Sequence, residues 1–439
     1  MPYPERKPVA AALLTAAFMV AVPNFASAEG LSSIYERARS SDPQFQQAIA
    51  DLNAREELLP QAKAGLRPNA SLDSTYNAID NRDADDQYRE LTYGISLRQP
   101  LFRYSESQAV DQADAQVSQA QAEFSFAEQE LILRVAERYF AVLDSREALD
   151  AAEANLEAIQ RQLDQAEQRF EVGVIARTDV EEARAQADLA RAERLQAEDD
   201  LASRREELRE LTNRAPAALN PVKSGISLTP PEPAEPSAWR TRAEEENRQL
   251  AAARFAAQAA MDGIDIQRGG RLPTADLVAG YNRSHEYGKS GIEREANQLS
   301  AGVEVNFPLY QGGEVSSNIR EAQFRYTEAR ESLEQTRRTV ARNAANAYRG
   351  VLTALERVRA LDQARVSTRA ALEATEAGFE VGTRTIVDVL NAQRELFNAE
   401  RDYEQARHAY LLNTLTLQQA AGTLTEADLE RVNGLLAQR

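Results

Sequence analysis

Two segments with one shared pattern carry the charged and hydroxyl side chains best placed to act together in this sequence. Residues 170–180 read FEVGVIARTDV and residues 379–389 read FEVGTRTIVDV. In each segment a glycine can turn the chain, and a later aspartate can cap a returning helix. The second copy has Arg384 where the first has Ile175. Only one copy therefore has a cation at this position, and a guanidinium can form charge-assisted hydrogen bonds with carboxylates.

The sequence lacks the motifs that catalysis or metal binding would require. The sequence has two histidines and no cysteine, and it shows no nucleophile motif, phosphate-binding loop or metal-ligand spacing. We therefore expect His285 and His408 to be surface residues rather than ligands. We also expect a protein that is not an enzyme and that binds no cofactor or metal.

The composition favours long packed helices and argues against a nucleic-acid partner. Ala, Glu, Gln, Arg and Leu fill long segments, whereas glycine and proline number only 19 and 16 in 439 residues. A net charge of −18 repels phosphate backbones. The acidity fits solubility, or a passage that prefers cations.

The first residues have the form of a secretory signal. Arg6 and Lys7 precede an apolar run over 9–22, and Ala-Ser-Ala follows at 26–28. This pattern predicts cleavage between Ala28 and Glu29, so the mature chain should start beyond the inner membrane.

Nearly the whole mature sequence is duplicated. LRPNASLDSTYN at 66–77 aligns with RLPTADLVAGYN at 271–282, and LTYGISLRQPLF at 91–102 aligns with LSAGVEVNFPLY at 299–310. A proline-rich segment separates the two halves. The predicted organisation is a signal peptide at 1–28, a first structural repeat at 29–213, a linker at 214–237, a second structural repeat at 238–422 and a C-terminal tail at 423–439.

Each half is predicted to contain a helix, a pair of strands and a long helical hairpin. The first helices span 42–64 and 247–267. Alternating apolar and polar residues predict strands with one apolar and one polar face at 70–78, 91–102, 275–284 and 299–310. Long helices follow at 101–172 and 314–382, with an irregularity expected at Gly350, and they return to residues 213 and 421. A short last helix should begin at Thr425, where Asp428 completes a capping box.

The four strands suit a membrane barrel that one chain cannot close. Strands of about ten residues cross the hydrocarbon core of a bilayer when they are tilted. Lipid offers no partner to the amides of an open strand edge, so several chains must share one barrel. Three chains would supply twelve strands, an even number typical of such barrels.

The sequence resembles the TolC family of outer-membrane efflux and secretion channels in its paired strands and in its FxVG turns followed by Asp-Val. The most specific similarity is the segment at 381–424, which reads VGTRTIVDVLNAQRELFNAERDYEQARHAYLLNTLTLQQAAGTL. The resemblance implies a mixed α/β membrane protein, a trimeric twelve-stranded outer-membrane β-barrel continued by a long periplasmic α-helical barrel. It further implies an exit duct of a tripartite efflux pump or type I secretion system. The implied partners are a periplasmic adaptor, an inner-membrane transporter and outer-membrane lipid.

The resemblance also implies roles for residues of the two turns. The hairpin tips that contact the adaptor would include Val172, Gly173, Val381 and Gly382. Arg384 would bind Thr178 and Asp179 of the other hairpin and hold the periplasmic mouth closed.

Three further positions of the second turn follow from the same resemblance. Asp388 would project into the lumen and form a ring of carboxylates with its symmetry mates. Asn391 falls where the family has a second lumenal acid, and Phe379 falls where the family often has tyrosine.

A different class of protein shares some of these features. A periplasmic coiled-coil adaptor without its own pore would also be secreted and rich in heptads. Such a protein has no use for paired amphipathic strands, and its solubility without detergent would distinguish it.

Overall fold

The computed structural model describes residues 28–81, 86–216, 218–288 and 293–437. The predicted signal peptide lies outside this part of the chain, apart from Ala28. In chain order the elements are α1 (Leu31–Ser41), α2 (Pro43–Glu56), α3 (Leu58–Ala64), β1 (Asn69–Asn81), β2 (Asp86–Phe102), α4 (Tyr104–Glu171), α5 (Arg177–Thr212), α6 (Pro236–Glu246), α7 (Arg248–Gly269), β3 (Thr274–Gly288), β4 (Glu293–Asn306), α8 (Glu314–Glu380), α9 (Ile386–Ala421) and α10 (Glu426–Asn433).

The first three helices correct the prediction of a single helix at 42–64. The Asp42 carboxylate caps α2 as expected, accepting a hydrogen bond from the Phe45 amide at 3.2 Å. The helix then divides at Glu57. Pro60 has no amide hydrogen for the carbonyl four residues earlier, and its ring would collide with that carbonyl. The sequence pattern did not predict α1, whose buried face includes Leu31 and Ile34.

The four strands form one antiparallel sheet in the order β1-β2-β3-β4. They are 13 to 17 residues long, which exceeds the predicted length of about ten because pairing extends towards the connecting loops. β4 ends at Asn306 instead of 310, since Pro308 cannot donate to the ladder.

The register of the sheet confirms the predicted apolar and polar faces. One cross-strand row on the apolar face contains Leu72, Ile95, Tyr281 and Leu299. The adjacent row on the other face contains Ser71, Ser96, Gly280 and Ser300. In the isolated chain the apolar row is exposed, with 57% of Ile95 accessible. The sheet therefore presents an unpartnered apolar surface on one side and a hydroxyl-lined surface on the other.

Two very long helices continue from the sheet. α4 has 68 residues and α8 has 67, so each is about 100 Å long. α4 begins at Tyr104 and not at 101, because Leu101 and Phe102 still belong to β2. Gly350 does not interrupt α8; a Cβ there would lie 3.3 Å from the Asn413 side-chain oxygen. Within the described residues, no helix has both the length and the apolar character needed to cross a bilayer.

The main apolar core lies where α1, α6 and α10 pack around the middle of α4 and α8 and the C-terminal parts of α5 and α9. Trp239 is buried there, and its indole Nε1 donates to the Pro233 carbonyl oxygen at 2.8 Å. The expectation that His408 lies at the surface is wrong. The ring is 3% exposed, stacks on Phe140, and its Nδ1 lies 2.6 Å from the Asp144 carboxylate. The carboxylate lies on a helix distant in sequence, so the local pattern around His408 gave no sign of it.

Candidate functional site

The two repeated turns fold in the same way at the ends of α4 and α8. The Gly173 amide donates to the Phe170 carbonyl oxygen at 2.9 Å, and the Gly382 amide donates to the Phe379 carbonyl oxygen at 3.0 Å. A second amide then reaches back over the helix end, from Val174 to residue 169 and from Thr383 to residue 378. This is a Schellman ending, which requires a left-handed residue. The glycines supply it, with φ values of 75° and 79°.

The second turn opens α9 with a capping box. The Asp388 carboxylate accepts hydrogen bonds from the Thr385 amide at 2.9 Å and from the Thr385 hydroxyl at 3.0 Å. These bonds, and then the nearby Arg384 charge, hold the pKa of Asp388 below its usual range. Asp388 is therefore ionised at neutral pH and has its side chain fixed at the start of α9.

The first turn uses the equivalent aspartate in a weaker version of the same arrangement. The Asp179 carboxylate accepts a hydrogen bond from the Ala176 amide at 3.3 Å. Thr178 is exposed one residue earlier, in the first turn of α5. Both aspartates thus act as helix caps, whatever further role they have.

A cavity of about 460 Å³ separates the two hairpins and brings most of the predicted gate residues together. Its lining includes Asp179, Arg384, Phe379 and Thr385. Arg384 is exposed, and in the described parts of this single chain it forms no ion pair with Asp179. Its aliphatic part lies against Gly378, where a Cβ would come within 2.8 Å of the Arg384 Cγ. Arg384 and Asp179 therefore face one space without bridging it.

Asn391, at the predicted uncharged position, lies one turn after Asp388 on α9. Its side-chain oxygen accepts a hydrogen bond from the Arg394 guanidinium at 2.7 Å. Asp388 and Asn391 are consequently near each other along the same helix, with the charge on the residue closer to the turn.

Arg169 also belongs to this site, although the sequence analysis did not identify it. Its guanidinium lies over the Phe379 ring, with 4.9 Å between Cζ and the ring centroid. Arg169 lies in the last turn of α4 in one hairpin, and Phe379 lies in the last turn of α8 in the other. The alignment of the two turns did contain a signal, because the position equivalent to Arg169 is Gly378.

The outermost residues of both turns expose apolar side chains. Val172 is 75% accessible and Val381 is 76% accessible, each beside its turn glycine. These exposed valines are the tip residues for which the sequence analysis predicts a contact with an adaptor.

Comparison with known proteins identifies the family to which this arrangement belongs. The family model described as outer membrane efflux protein matches residues 34–214 and 239–423. The outer membrane protein TolC of Vibrio cholerae is 37% identical over 409 residues, which cover 92% of this chain and 93% of that protein. The alkaline protease secretion protein AprF of Pseudomonas aeruginosa is 30% identical over 437 residues, which cover 95% and 90%.

Solved structures have the same fold. A CusC structure superposes with a TM-score of 0.78 at 17% identity, covering 90% of this chain and 92% of that one. The outer membrane protein VceC of Vibrio cholerae gives a TM-score of 0.73 at 22% identity, covering 89% and 96%. With most of its length matched by the family model and by relatives above 30% identity, the chain belongs to the outer membrane efflux protein family.

Proposed function

We propose that three copies of this chain form an exit duct that spans the outer membrane and extends through the periplasm. Membership of the family places the chain in the outer membrane, with a large periplasmic helical part. The observation that supports the trimer most directly is the sheet, which is open at both β1 and β4 and is apolar on one face.

The two open edges require partners if the apolar face meets lipid. β1 pairs only with β2, and β4 pairs only with β3, within the described strands. Unpaired amides in hydrocarbon are each costly by several kcal/mol. Joining β4 of one copy to β1 of the next removes every edge, and three copies give a closed barrel of twelve strands.

The opposite face of the sheet suits a water-filled lumen. Its rows contain serines and other small polar residues, and the Ser71 and Ser96 hydroxyls bond each other at 2.7 Å. Asp73 and Asn282 lie in the next row, with Gly94 between them. Such a surface solvates a hydrophilic cargo without binding it strongly.

The paired hairpins would then form the periplasmic mouth. We propose that Arg384 bridges to Thr178 and Asp179 when the hairpins close on the cavity between them, and that this link narrows the mouth. The ionised Asp388 would contribute to a ring of three carboxylates, while Asn391 leaves a second ring uncharged. The order of strand pair and hairpin, which occurs in both halves, supports an origin by duplication.

The exposed hairpin tips are the surface through which this chain would contact its partners. The relatives' names describe outer membrane and protease secretion proteins, and we propose that this chain likewise serves an inner-membrane transporter through a periplasmic adaptor. The adaptor would contact Val172, Gly173, Val381 and Gly382. The alternative of a pore-free periplasmic adaptor protein gives no role to the apolar face of the sheet.

Conductance in planar lipid bilayers tests both the duct and its gate. The mature chain, purified in detergent, should migrate as a trimer and form discrete channels. Arg384→Ser should raise the conductance, whereas Arg177→Ser should not, because Arg177 lies 3.6 Å from Glu181 of its own helix. Asp388→Ala should weaken cation preference and block by multivalent cations. A monomer without conductance would refute the duct, and an intact trimer insensitive to Arg384→Ser would refute the gate assignment.

A further inference from the structure

The two hairpins of one chain are joined above their tips by an apolar cluster. Its buried members come from both hairpins and are Ile159, Ala187, Ala190, Ile386 and Leu390. Beyond this cluster, towards the turns, the cavity opens between the hairpins. An attractive interaction across this gap would hold the two hairpin tips closer together.

Arg169 makes such an interaction. Its guanidinium projects from the last turn of α4 and covers the Phe379 ring of α8 at 4.9 Å. A cation at this distance from an aromatic face is attracted by the negative charge of the ring's π-system. The C-terminal end of α4 also favours a positive charge. Among the described residues, Arg169 has no ion pair that competes for its guanidinium.

Phe379 is a firm platform for this cation. Its ring is half-buried and packs against the apolar cluster described above and also against a second one formed by Leu372, Val389 and Leu396. The equivalent residue of the first turn, Phe170, is 43% exposed and holds no cation in the described structure. In the described structure the first hairpin therefore supplies the cation of this contact, and the second hairpin supplies the ring.

We propose that the contact between Arg169 and Phe379 is a latch that holds the two hairpin tips of one chain together and favours the narrow form of the mouth. This inference rests on the proposed channel function. Arg169 acts by positioning the second hairpin and does not itself touch the cargo. The latch is distinct from the Arg384 link, since its strength depends on an aromatic face instead of a carboxylate.

The strength of the latch follows from its exposure. A cation–π contact at an exposed site is worth about 0.5–1 kcal/mol, which corresponds to a two- to five-fold bias per copy. Three copies that move together multiply this bias to about 10- to 150-fold.

A double-mutant cycle in planar bilayers tests the latch. Arg169→Gln removes the charge and keeps most of the side-chain length, while Phe379→Leu removes the ring and keeps an apolar group. Each substitution should raise the ratio of open to closed channels by about 10- to 150-fold, and the double variant should equal the stronger single one. Phe379→Trp should retain the closed population, since indole offers the strongest aromatic face.

Matched controls separate this latch from general effects at the tips. Phe170→Leu changes the equivalent phenylalanine of the other turn, and Arg177→Gln changes another exposed arginine of the first hairpin; both should leave gating unchanged. Effects of Arg169→Gln and Phe379→Leu that simply add would overturn the latch, as would an Arg169→Gln channel that gates like the unmodified protein. Arg169 is exposed, so Arg169→Gln should not impair folding.

The same recordings distinguish failure of the latch from failure of the channel proposal. If the unmodified trimer forms no channels, the channel function itself is refuted. If it forms channels that respond to Arg384→Ser but not to Arg169→Gln, only the latch is refuted.

Discussion

A depth series of arginine substitutions along β2 should measure how the sheet lies in the membrane. Leu97, Ile95 and Tyr93 lie on the apolar face of this strand, and successive members are two residues apart. Each step is therefore about 6.6 Å along the strand, or roughly 5 Å in depth for a strand tilted by about 45°. The series spans about 10 Å of depth from its first to its last member.

The neighbours of each position indicate which is deepest. Leu97 is flanked by Ala70 and Ala279, with further apolar residues in the row nearer the helices. Tyr93 is flanked by Ser74 and Arg283, and the Arg283 guanidinium forms an ion pair with Glu295 at 3.2 Å. The Leu97 row thus lies near the middle of the apolar band, and the Tyr93 row lies at its polar border.

Depth sets the expected cost of each substitution. Arginine near the bilayer midplane destabilises an outer-membrane barrel by about 2–4 kcal/mol, falling to about 0–1 kcal/mol near the interface. We expect Leu97→Arg to be at the upper value, Tyr93→Arg at the lower and Ile95→Arg between them. Ser96→Arg is the matched control, because Ser96 lies on the polar face beside Ser71 and Gly280.

Folding into lipid vesicles, followed as the folded fraction at increasing denaturant, provides the measurement. Among the apolar-face variants, Tyr93→Arg should be the most stable, Ile95→Arg intermediate and Leu97→Arg the least stable. Ser96→Arg should be close in stability to the unmodified chain. Equal losses on both faces, or a reversed order along the strand, would refute the assignment of the apolar face to lipid.

Three further predictions concern the turns and the core. Gly378→Ala should raise the conductance, as Arg384→Ser should, because the added Cβ would come within 2.8 Å of the Arg384 Cγ. Gly263→Ala is the control and should leave the conductance unchanged, since its Cβ meets only the end of the Gln112 side chain at 3.1 Å. Gly422→Ala should lower the free energy of unfolding by more than the roughly 1–2 kcal/mol expected for a left-handed residue, since the Cβ would lie 2.5 Å from the Asn247 Cα. Gly382→Ala, with φ of 79° and open space around the position, should show only this backbone cost in the same thermal unfolding measurement. Burial raises the pKa of Glu147, and the negative charges of Glu404 and Asp150 raise it further. The contribution of Glu147 to the free energy of unfolding is therefore largest below about pH 4.3, where the carboxyl is protonated, and is lost as pH rises through the raised pKa. In thermal unfolding, Glu147→Gln should be more stable than the unmodified chain near neutral pH and should lose this advantage in acid.

The sequence predicted the features that depend on neighbours along the chain. Alternation with a period of two assigned Ile95 to the apolar face and Ser96 to the polar face, since successive side chains of any strand point to opposite sides. The turn glycines and the caps at Asp42 and Thr425 were likewise predicted, because a helix end satisfies its free amides with groups only a few residues away. Pro60 is a local signal too, because its missing amide hydrogen divides the helix that the pattern at 42–64 predicted as one.

Only the tertiary structure decided the contacts between residues distant in sequence. Asp144 meets His408 across a sequence separation of 264 residues, and Arg98 meets the buried Asp276 across 178. The Arg169 guanidinium reaches the Phe379 ring in the same way, from one hairpin to the other. Periodicity determines which face of a helix or strand a side chain occupies, but the relative rotation and axial shift of packed elements determine which side chain lies opposite. Those quantities are set by packing over the whole interface between elements, so the local sequence around Arg169 or His408 could not specify the partner.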